Sequence, residues 1–285
     1  MADIVHSSVG ASNVSLSVTG VDLSQDLVLC LDERDIVSGS GGVLTSWKNQ
    51  ADTDALLYAL PNVTAEDTWS YPPIVVGDCV KIHPTIRASY GVNHAKYCYI
   101  KALLPNISGI STITVMALLR HETTYTTGTF PTNRAEESTG IAIKIAASGE
   151  TYVTGFYPQP LGVASKRGWS LSLTDISSPN PLLDDLTALP LGWFTMAITT
   201  TIVGNTNITA KMYLNGELLC QKTGTQNGVW YPYMGNICFG NHTTSPNDLY
   251  NALALYQACY AWKRVLSDTE ILQTHNALFD KYGLS

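Results

Sequence analysis

The feature that most constrains the fold of this chain is a series of short runs rich in Val, Ile, Thr and Tyr, separated by clusters of Gly, Pro, Asn and Ser. Runs of this kind, bounded by turn residues, are typical of β-strands. Clear examples are residues 111–119, 140–145 and 194–202, where alternation of the side chains places one face of each strand on a core. The pattern predicts an all-β protein.

Two local signals predict particular turns and ends. Asn215 and Gly216 lie between the apolar flanks of residues 211–219, and an Asn-Gly pair in that setting predicts a tight β-hairpin. Near the C-terminus, Ser267 and Glu270 have the spacing of a capping box, and Gly283 follows as a stop, so we expect a helix there. One short helix after many strands favours a β-sandwich over a parallel α/β sheet.

The charge composition excludes several classes of partner. Only 14% of the 285 residues are charged, the net charge is −7, and Lys and Arg are scattered singly. Because no basic patch is present to bind a phosphate backbone, nucleic acid is not an expected partner. The uncharged stretch 186–210 contains Pro, Gly and Asn residues that would be costly in a bilayer. We expect buried strands and a turn there, not a membrane span.

The N-terminus differs in pattern from the main part of the chain. No basic segment followed by an apolar run is present at its start, so we expect synthesis in a cytoplasm without a secretory signal. Polar and apolar side chains alternate around residues 14–20. We predict that residues 1–26 form an arm or an extra edge strand, and that residues 27–285 form the main domain.

Several segments occur in an order that is specific for one fold. Leu29-Cys30-Leu31-Asp32 is followed by Trp47-Lys48-Asn49, then by Tyr213-Leu214-Asn215-Gly216 and residues 236–241, and finally by Leu266-Ser267-Asp268 and Lys281-Tyr282-Gly283. In this order they resemble the landmarks of concanavalin A-like (laminin G-like) jelly-roll domains. The resemblance covers about residues 27–284 and implies a sandwich of two antiparallel sheets with one short C-terminal helix. Gln257 stands where the resemblance implies a Glu.

The carboxylates offer no pattern that indicates an enzyme. Glucanases of that superfamily carry Glu-x-Asp-x-x-Glu on one strand, which places the nucleophile and the acid on one face. No Glu-x-Asp occurs in this chain, and neighbouring acids such as Asp32 and Glu33 would point to opposite faces of a strand. His121 and Glu122 begin like a zinc-protease motif, but Tyr125 replaces the second His. We therefore expect no catalytic residues.

Metal sites and cofactors are not predicted either. The resemblance implies that a structural calcium can lie at the rim of the sandwich, with Asp32, Asp35 and Asp248 as candidate ligands. Their spacing is not that of a calcium loop, so we expect turn and cap residues and no cofactor. The cysteines are far apart and predict buried thiols, not a zinc site or a disulfide scaffold; they are Cys30, Cys79, Cys98, Cys220, Cys238 and Cys259.

Aromatic residues are the remaining candidates for ligand binding. Trp230, Tyr231 and Tyr233 lie in a Gly- and Asn-rich region, and Trp193 follows Gly192. Exposed Trp and Tyr side chains stack on sugar rings or anchor protein interfaces, because they present flat apolar faces with a polar tip. The alternative is that they fill the ends of the sandwich as part of its core.

The resemblance leaves three functions open, since such domains occur as bacteriophage virion proteins, adhesion modules, lectins and glucanases. We expect first a non-enzymatic structural or attachment protein of a bacteriophage particle, in the head decoration, fibre or tail. Its partners would be identical subunits in a homo-oligomer or other virion proteins, and its location the virion. A carbohydrate-binding module that recognises host-surface glycans is the alternative, and a glycoside hydrolase or lyase the third.

Overall fold

The computed structural model describes residues 17–18, 21–51, 57–58, 73–82, 100–103, 111–121, 141–144, 152–154, 172–173, 192–203, 207–225, 236–240 and 254–285. Its strands in chain order are β1 (Ser17–Val18), β2 (Val21–Asp22), β3 (Leu27–Leu31), β4 (Ile36–Ser38), β5 (Leu44–Trp47), β6 (Leu57–Tyr58), β7 (Ile74–Val76), β8 (Cys79–Ile82), β9 (Ile100–Leu103), β10 (Thr112–His121), β11 (Ile141–Lys144), β12 (Tyr152–Thr154), β13 (Ser172–Leu173), β14 (Trp193–Val203), β15 (Asn207–Leu214), β16 (Glu217–Thr225), β17 (Asn236–Phe239) and β18 (Ala254–Trp262). The helix α1 (Asp268–Tyr282) follows them.

Two antiparallel sheets contain most of these strands. Within the described residues, the large sheet has the order β16-β15-β14-β10-β18-β8-β7, with β3 paired to the second half of β18. The small sheet has the order β13-β12-β11-β17-β9-β6. Residues 112–119, 141–144 and 194–202 of the predicted segments lie in strands, and Asn215 and Gly216 form the turn of a hairpin, as predicted.

The main core lies between these two sheets. Alternate residues of each strand point into it, as the period of two requires. In β10 these are Ile113, Val115, Ala117 and Leu119, and from the small sheet they include Ile100, Ile141, Ile143, Ile237 and Phe239. The protein is therefore a jelly-roll β-sandwich of the predicted class.

Gln257 is the extra residue of a β-bulge in β18. The pairing of β10 with β18 shifts between Leu118 and Leu119, so Gln257 has no partner position on β10. Its side chain instead fastens the neighbouring strand, since Gln257 Nε2 donates to the Asp78 carbonyl at 3.1 Å and Gln257 Oε1 accepts from Cys79 Sγ at 2.8 Å. The Gln257 side-chain amide thus links β18 to Asp78 and Cys79 at the start of β8.

Helix α1 begins and ends with the predicted caps. Ser267 Oγ accepts a hydrogen bond from the Glu270 amide at 3.2 Å, and Glu270 Oε2 accepts from the Ser267 amide at 2.7 Å, which completes the capping box. Gly283 ends the helix in the left-handed conformation. The buried face of α1 consists of Ile271, Thr274, Ala277 and Leu278.

The helix covers the outer face of the large sheet. A second apolar cluster joins Ile271 and Leu278 of α1 to the outward residues of β10 and β18, among them Met116, Leu118 and Tyr260. The 15 residues of α1 extend about 22 Å, which matches the roughly 19 Å from β15 to β3 across four strand spacings. The molecule thus has three layers: α1, the large sheet and the small sheet.

The opening motif of the chain fastens β3 to the turn after β5. Trp47 Nε1 donates to the Asp32 carbonyl at 2.6 Å. Asn49 Oδ1 accepts from the Cys30 amide at 2.8 Å, and Asn49 Nδ2 donates to the Val28 carbonyl at 2.9 Å. The buried Asn49 side chain therefore replaces a β-ladder partner along one edge of β3.

The N-terminal segment leads into the same packing. β1 and β2 pair with each other, and no pairing among the described residues joins them to either large sheet. Leu23 is buried, and its carbonyl accepts from Trp262 Nε1 at 2.7 Å. Residues ahead of position 27 thus contribute to the cluster beneath α1, and the boundary between residues 26 and 27 stays a prediction.

The described cysteines are buried thiols, as predicted; they are Cys30, Cys79, Cys220, Cys238 and Cys259. Burial raises the pKa of the Cys30 thiol to about 12, with the nearby Asp32 carboxylate adding to it. Cys98 lies outside the described residues. No helix in the described ranges is both long enough and apolar enough to cross a bilayer.

Candidate functional site

One row of side chains on the outer face of the large sheet lies beside α1 and not under it. The register places Trp193 of β14 opposite Arg120 of β10, Arg120 opposite Leu255 of β18, and Leu255 opposite Lys81 of β8. Neighbours of these residues along each strand point into the main core, so alternation directs the row outwards. We call Trp193, Arg120, Leu255 and Lys81 the outer row.

The helix forms one border of the outer row. Thr195 is two residues beyond Trp193 on the same face of β14, and its hydroxyl lies 2.9 Å from Nδ1 of His275 in α1. The His275 ring also packs on Phe279, with 4.3 Å between the ring centroids. Burial lowers the pKa of His275, although the Glu217 carboxylate opposes this shift, so the ring is held neutral near pH 7.

Arg120 and Trp193 form a cation-π pair. The guanidinium carbon of Arg120 lies over the indole ring, 5.3 Å from its centroid. Trp193 is half-buried and packs against the cluster beneath α1. Because the indole ring is anchored to the core on one side, it fixes the position of the guanidinium on the other. Arg120 and Trp193 therefore form one aromatic–cation unit that is partly exposed on the outer face of the sheet.

Lys81 and Leu255 complete the outer row. Lys81 and Arg120 are both partly exposed, whereas Leu255 between them is only 3% exposed. Two strand spacings separate Lys81 from Arg120, or about 10 Å between their backbones. The partly exposed parts of the outer row are therefore an indole ring with a guanidinium over it on one side of Leu255 and an ammonium group on the other.

Of the four predicted ligand-binding residues, Trp193 alone lies among the described residues. Trp193 belongs to the outer row, but it supports Arg120 and is not a fully exposed platform. Its role in ligand binding stays a prediction. Trp230, Tyr231 and Tyr233 lie outside the described residues, so their predicted role also stays untested.

Arg120 and Lys81 carry no signal in the sequence that marks them as a pair. They are single cations in strands that are otherwise apolar, and 39 positions of the chain separate them in a sequence with Lys and Arg scattered throughout. Only the register of β8, β18 and β10 brings them into one row.

A second charged cluster, around Asp32, is structural. The Asp32 carboxylate is buried, and its two oxygens share the single Nε–H of Arg34, each at 2.9 Å from Nε, while Lys281 Nζ lies 3.5 Å from Oδ2. Lys281 Nζ also donates to Glu33 Oε2 at 3.0 Å, and Tyr282 donates to the same oxygen at 2.5 Å. The first motif of the chain and its closing Lys-Tyr-Gly motif thus meet in one ionic network.

The network keeps Asp32 ionised. Burial by itself would raise the pKa of Asp32, but hydrogen bonds from Arg34 and the charge of Lys281 outweigh it and lower the pKa. Asp32 also caps the short 3-10 turn Glu33–Asp35, since it accepts from the Arg34 amide at 3.2 Å. Its carboxylate is committed to these cations, as expected of a cap residue and not of a calcium ligand or a catalytic acid.

The remaining candidate metal ligands and His121 lie partly within the described residues. Among the residues that the structure describes, no three His, Cys, Asp or Glu side chains are grouped so as to hold a metal ion. Asp248 lies outside the described residues, and His121 is the last residue of β10.

Comparison with known proteins extends the assignment of fold. No protein-family model and no curated protein matches the chain. A solved sialidase of Trypanosoma rangeli is similar to it with a TM-score of 0.52 and 12% identity, over 91% of this chain and 33% of that one. The receptor-binding domain of botulinum neurotoxin type G has a TM-score of 0.46 and 12% identity, over 89% and 52% of the two chains.

A structure of botulinum neurotoxin type C has a TM-score of 0.48 and 14% identity, over 90% of this chain and 52% of that one. The chain therefore spans about half the length of the neurotoxin structures and a third of the sialidase. At these identities the likeness concerns the fold alone. Together, the geometry and the sialidase comparison identify the fold of the chain as a jelly-roll β-sandwich.

Proposed function

We propose that this protein is a non-enzymatic attachment module that binds carbohydrate through the outer row. The observation that carries the proposal is the Trp193–Arg120 pair, in which a partly exposed indole ring and a guanidinium hold each other in place on the outer face of the sheet. Sugar-binding sites combine an apolar surface with a few fixed polar groups, because the rings have both apolar faces and hydroxyl edges.

The contacts of two acidic residues support a non-enzymatic function. Asp32 and Glu33 are the adjacent acids at the end of β3, and both bind Lys281 at distances of 3.5 and 3.0 Å. A glycosidase needs two carboxyl groups that flank a substrate, one of them able to hold a proton. Asp32 has a lowered pKa and is buried under its cations, so it is unsuited to that task.

The binding test uses the full chain on a glycan array, followed by titration of the best ligand. We expect a defined glycan to bind, and Trp193→Leu to weaken it roughly two- to fivefold, because the support for Arg120 is lost. Val203→Ala is the matched control, since Val203 lies at the opposite end of the same strand and is 61% exposed.

Thermal unfolding of both variants shows that they are folded. If no glycan binds, the proposed function is wrong. If a glycan binds equally to the wild type and to Trp193→Leu, then carbohydrate is the ligand but the outer row is not its site.

A second candidate function, as a subunit of a virion or similar assembly, is favoured by the β1–β2 ribbon. Among the described strands, this ribbon pairs with neither large sheet, and β1 lies next to α1. A short ribbon of this kind can add to a strand edge of a neighbouring copy through main-chain hydrogen bonds. Under this proposal the chain forms a homo-oligomer on a bacteriophage particle.

Light scattering of the full chain tests this assembly role. We expect a mass that is a multiple of 30.8 kDa, and a monomer mass after removal of residues 1–22, with the unfolding transition retained. Leu23 is left in place because it is buried beneath α1. A monomeric full chain, or an oligomer that is unchanged by the truncation, would contradict the role assigned to the ribbon.

A further inference from the structure

We propose that His275 makes the packing of helix α1 sensitive to acid, so that α1 loosens from β14 and from the β15–β16 hairpin when the ring takes up a proton. This inference goes beyond the proposed function, since it concerns α1 and not the ligand of the outer row. The first observation is that His275 lies where three elements meet. The Thr195 hydroxyl of β14 is 2.9 Å from its Nδ1. On the hairpin side, a Cβ built on Gly216 would lie 3.2 Å from the His275 Cβ.

The second observation is that β14 and the hairpin turn are bonded to each other at the same place. The Thr195 amide donates to Asn215 Oδ1 at 3.1 Å, and the Asn215 amide donates to the Thr195 carbonyl at 2.9 Å. The turn also lies close to the helix backbone, since Leu272 Cα is 2.9 Å from the Cβ position of Gly216. A displacement of the His275 ring therefore changes the fit of α1 to both strands at once.

The third observation is that the surroundings of the ring favour its neutral form. The residues one turn away along α1, before and after His275, are all apolar; they are Ile271, Leu272, Leu278 and Phe279. Strand β14 contains no ionisable residue. An imidazolium in this place would be partly desolvated among apolar side chains, which is costly without a charged partner.

The charged groups near the ring do not supply such a partner. Glu217, directly after the hairpin turn, is the charged residue that acts on the ring, and its side chain is exposed. Its carboxylate offsets burial only in part, so the pKa of His275 lies below its ordinary value of 6.5. Asp268 and Tyr282 are two turns away on the same side of α1, and each is hydrogen-bonded elsewhere. The other charged residues of α1 project from other sides of the helix.

The direction of the effect follows from the lowered pKa. When α1 loosens, the His275 ring is exposed and its pKa returns towards 6.5. The loosened form therefore takes up a proton at a higher pH than the packed form, and its share of the population rises as the pH falls below that value. Loosening of α1 uncovers the apolar cluster on the outer face of the large sheet, which includes Met116, Leu118 and Tyr260.

Amide hydrogen exchange of the full chain at about pH 7.5 and about pH 5.5, corrected for the intrinsic exchange rate, tests this inference. We expect the opening equilibrium of residues 268–282 to rise roughly three- to tenfold at the lower pH, where tenfold is the limit set by the ordinary pKa of histidine. The amides of β10 should be better protected than those of α1 at both pH values, because the helix opens while the sandwich stays folded.

Matched variants assign the effect to His275. His275→Asn places an amide where Nδ1 lies, so it keeps a polar group for Thr195 but cannot titrate, and its opening equilibrium should be the same at both pH values. His275→Gln is a second variant that cannot titrate, and it should behave in the same way. His121→Asn makes the matched change at the last residue of β10 and should retain the acid response. Unfolding temperatures at the higher pH show which variants are folded.

Comparison of each variant with itself at the two pH values removes the cost of the substitution. An acid response that persists in His275→Asn and His275→Gln, or that is absent from the wild type, would overturn the inference. Equal protection of α1 and β10 would also contradict it, since the helix would then open only when the whole domain unfolds. The glycan-binding test of the outer row is decided separately from all of these outcomes.

Discussion

Replacement of Asp32 by Ala is expected to lower the free energy of unfolding by roughly 3 kcal/mol, because it removes one partner of a buried ionic network. The side chain of Asp32 is fully buried, with Arg34 Nη2 at 2.6 Å and Lys281 Nζ at 3.5 Å. Lys281 is only 13% exposed, so its charge would lose one of its two carboxylate partners, with Glu33 remaining, in a region that water reaches poorly. Urea unfolding of the wild type and the variant measures the difference.

Two further variants separate the contributions to this effect. Asp32→Asn keeps an oxygen that can cap the turn Glu33–Asp35 but removes the charge, so we expect a smaller loss. Lys211→Ala breaks the Lys211–Asp268 pair, which has a 3.3 Å separation and side chains that are 30% and 62% exposed. An exposed pair of this kind contributes about 1 kcal/mol or less. If Asp32→Ala costs no more than Lys211→Ala, the network does not stabilise the fold as inferred.

The same network predicts a dependence of stability on pH. The pKa of Asp32 is lower in the folded protein than its ordinary value of 3.8. The unfolded chain therefore takes up a proton at a higher pH than the folded protein does. The stabilisation is complete above the unfolded pKa and is lost as the pH falls through the folded pKa. Asp32→Ala should consequently lose less stability than the wild type between pH 5 and pH 3.

Replacement of Gly216 by Ala is expected to cost roughly 3 kcal/mol and to displace helix α1. Asn215 and Gly216 form the two-residue turn of the β15–β16 hairpin, and both have positive φ angles, of 49° and 82°. A Cβ on Gly216 would lie 2.7 Å from Cδ1 and 2.9 Å from Cα of Leu272 in α1. Since Cα belongs to the helix backbone, a change of rotamer cannot relieve the contact, and the strain of the φ angle adds to it.

Gly41→Ala is the matched control for this prediction. Gly41 also has a positive φ angle, of 70°, but a Cβ there would meet nothing within 4 Å. This variant should therefore cost only the backbone strain, about 1 kcal/mol. Urea unfolding measures both variants, and amide hydrogen exchange in residues 268–282 reports whether the helix is loosened in Gly216→Ala alone. Equal losses in the two variants would show that the hairpin turn does not position α1.

Much of the fold was predictable because its signals are local. The period of two in residues 111–119 and 194–202, the Asn215-Gly216 turn and the capping box of Ser267 depend only on neighbours along the chain. The landmarks that resemble jelly-roll domains carry the fold class for a similar reason. Trp47 and Asn49 stand at fixed separations from β3, because their side chains form specific hydrogen bonds with residues in β3 or directly after it.

Trp193 is the one residue of the outer row that the sequence analysis singled out. An aromatic residue after a glycine is visible in one dimension, but its contact with Arg120 is not, since the two lie on strands that are far apart in the chain. The position of Lys81 depends further on β18, whose bulge at Gln257 changes the register along the strand. A one-residue difference in that register would turn Leu255 to the opposite face of the sheet.

The sequence by itself therefore determined the strands, the hairpin, the capped helix and the sandwich, since periodicity, turn chemistry and capping act over a few residues. The tertiary structure alone decided which side chains meet across strands. It placed Asp32 and Lys281, from opposite ends of the chain, in one buried network, and Arg120 and Lys81 in one row at the surface. Such contacts between distant residues depend on strand order and register. Strand order and register are set when the whole chain packs, and no local pattern encodes them.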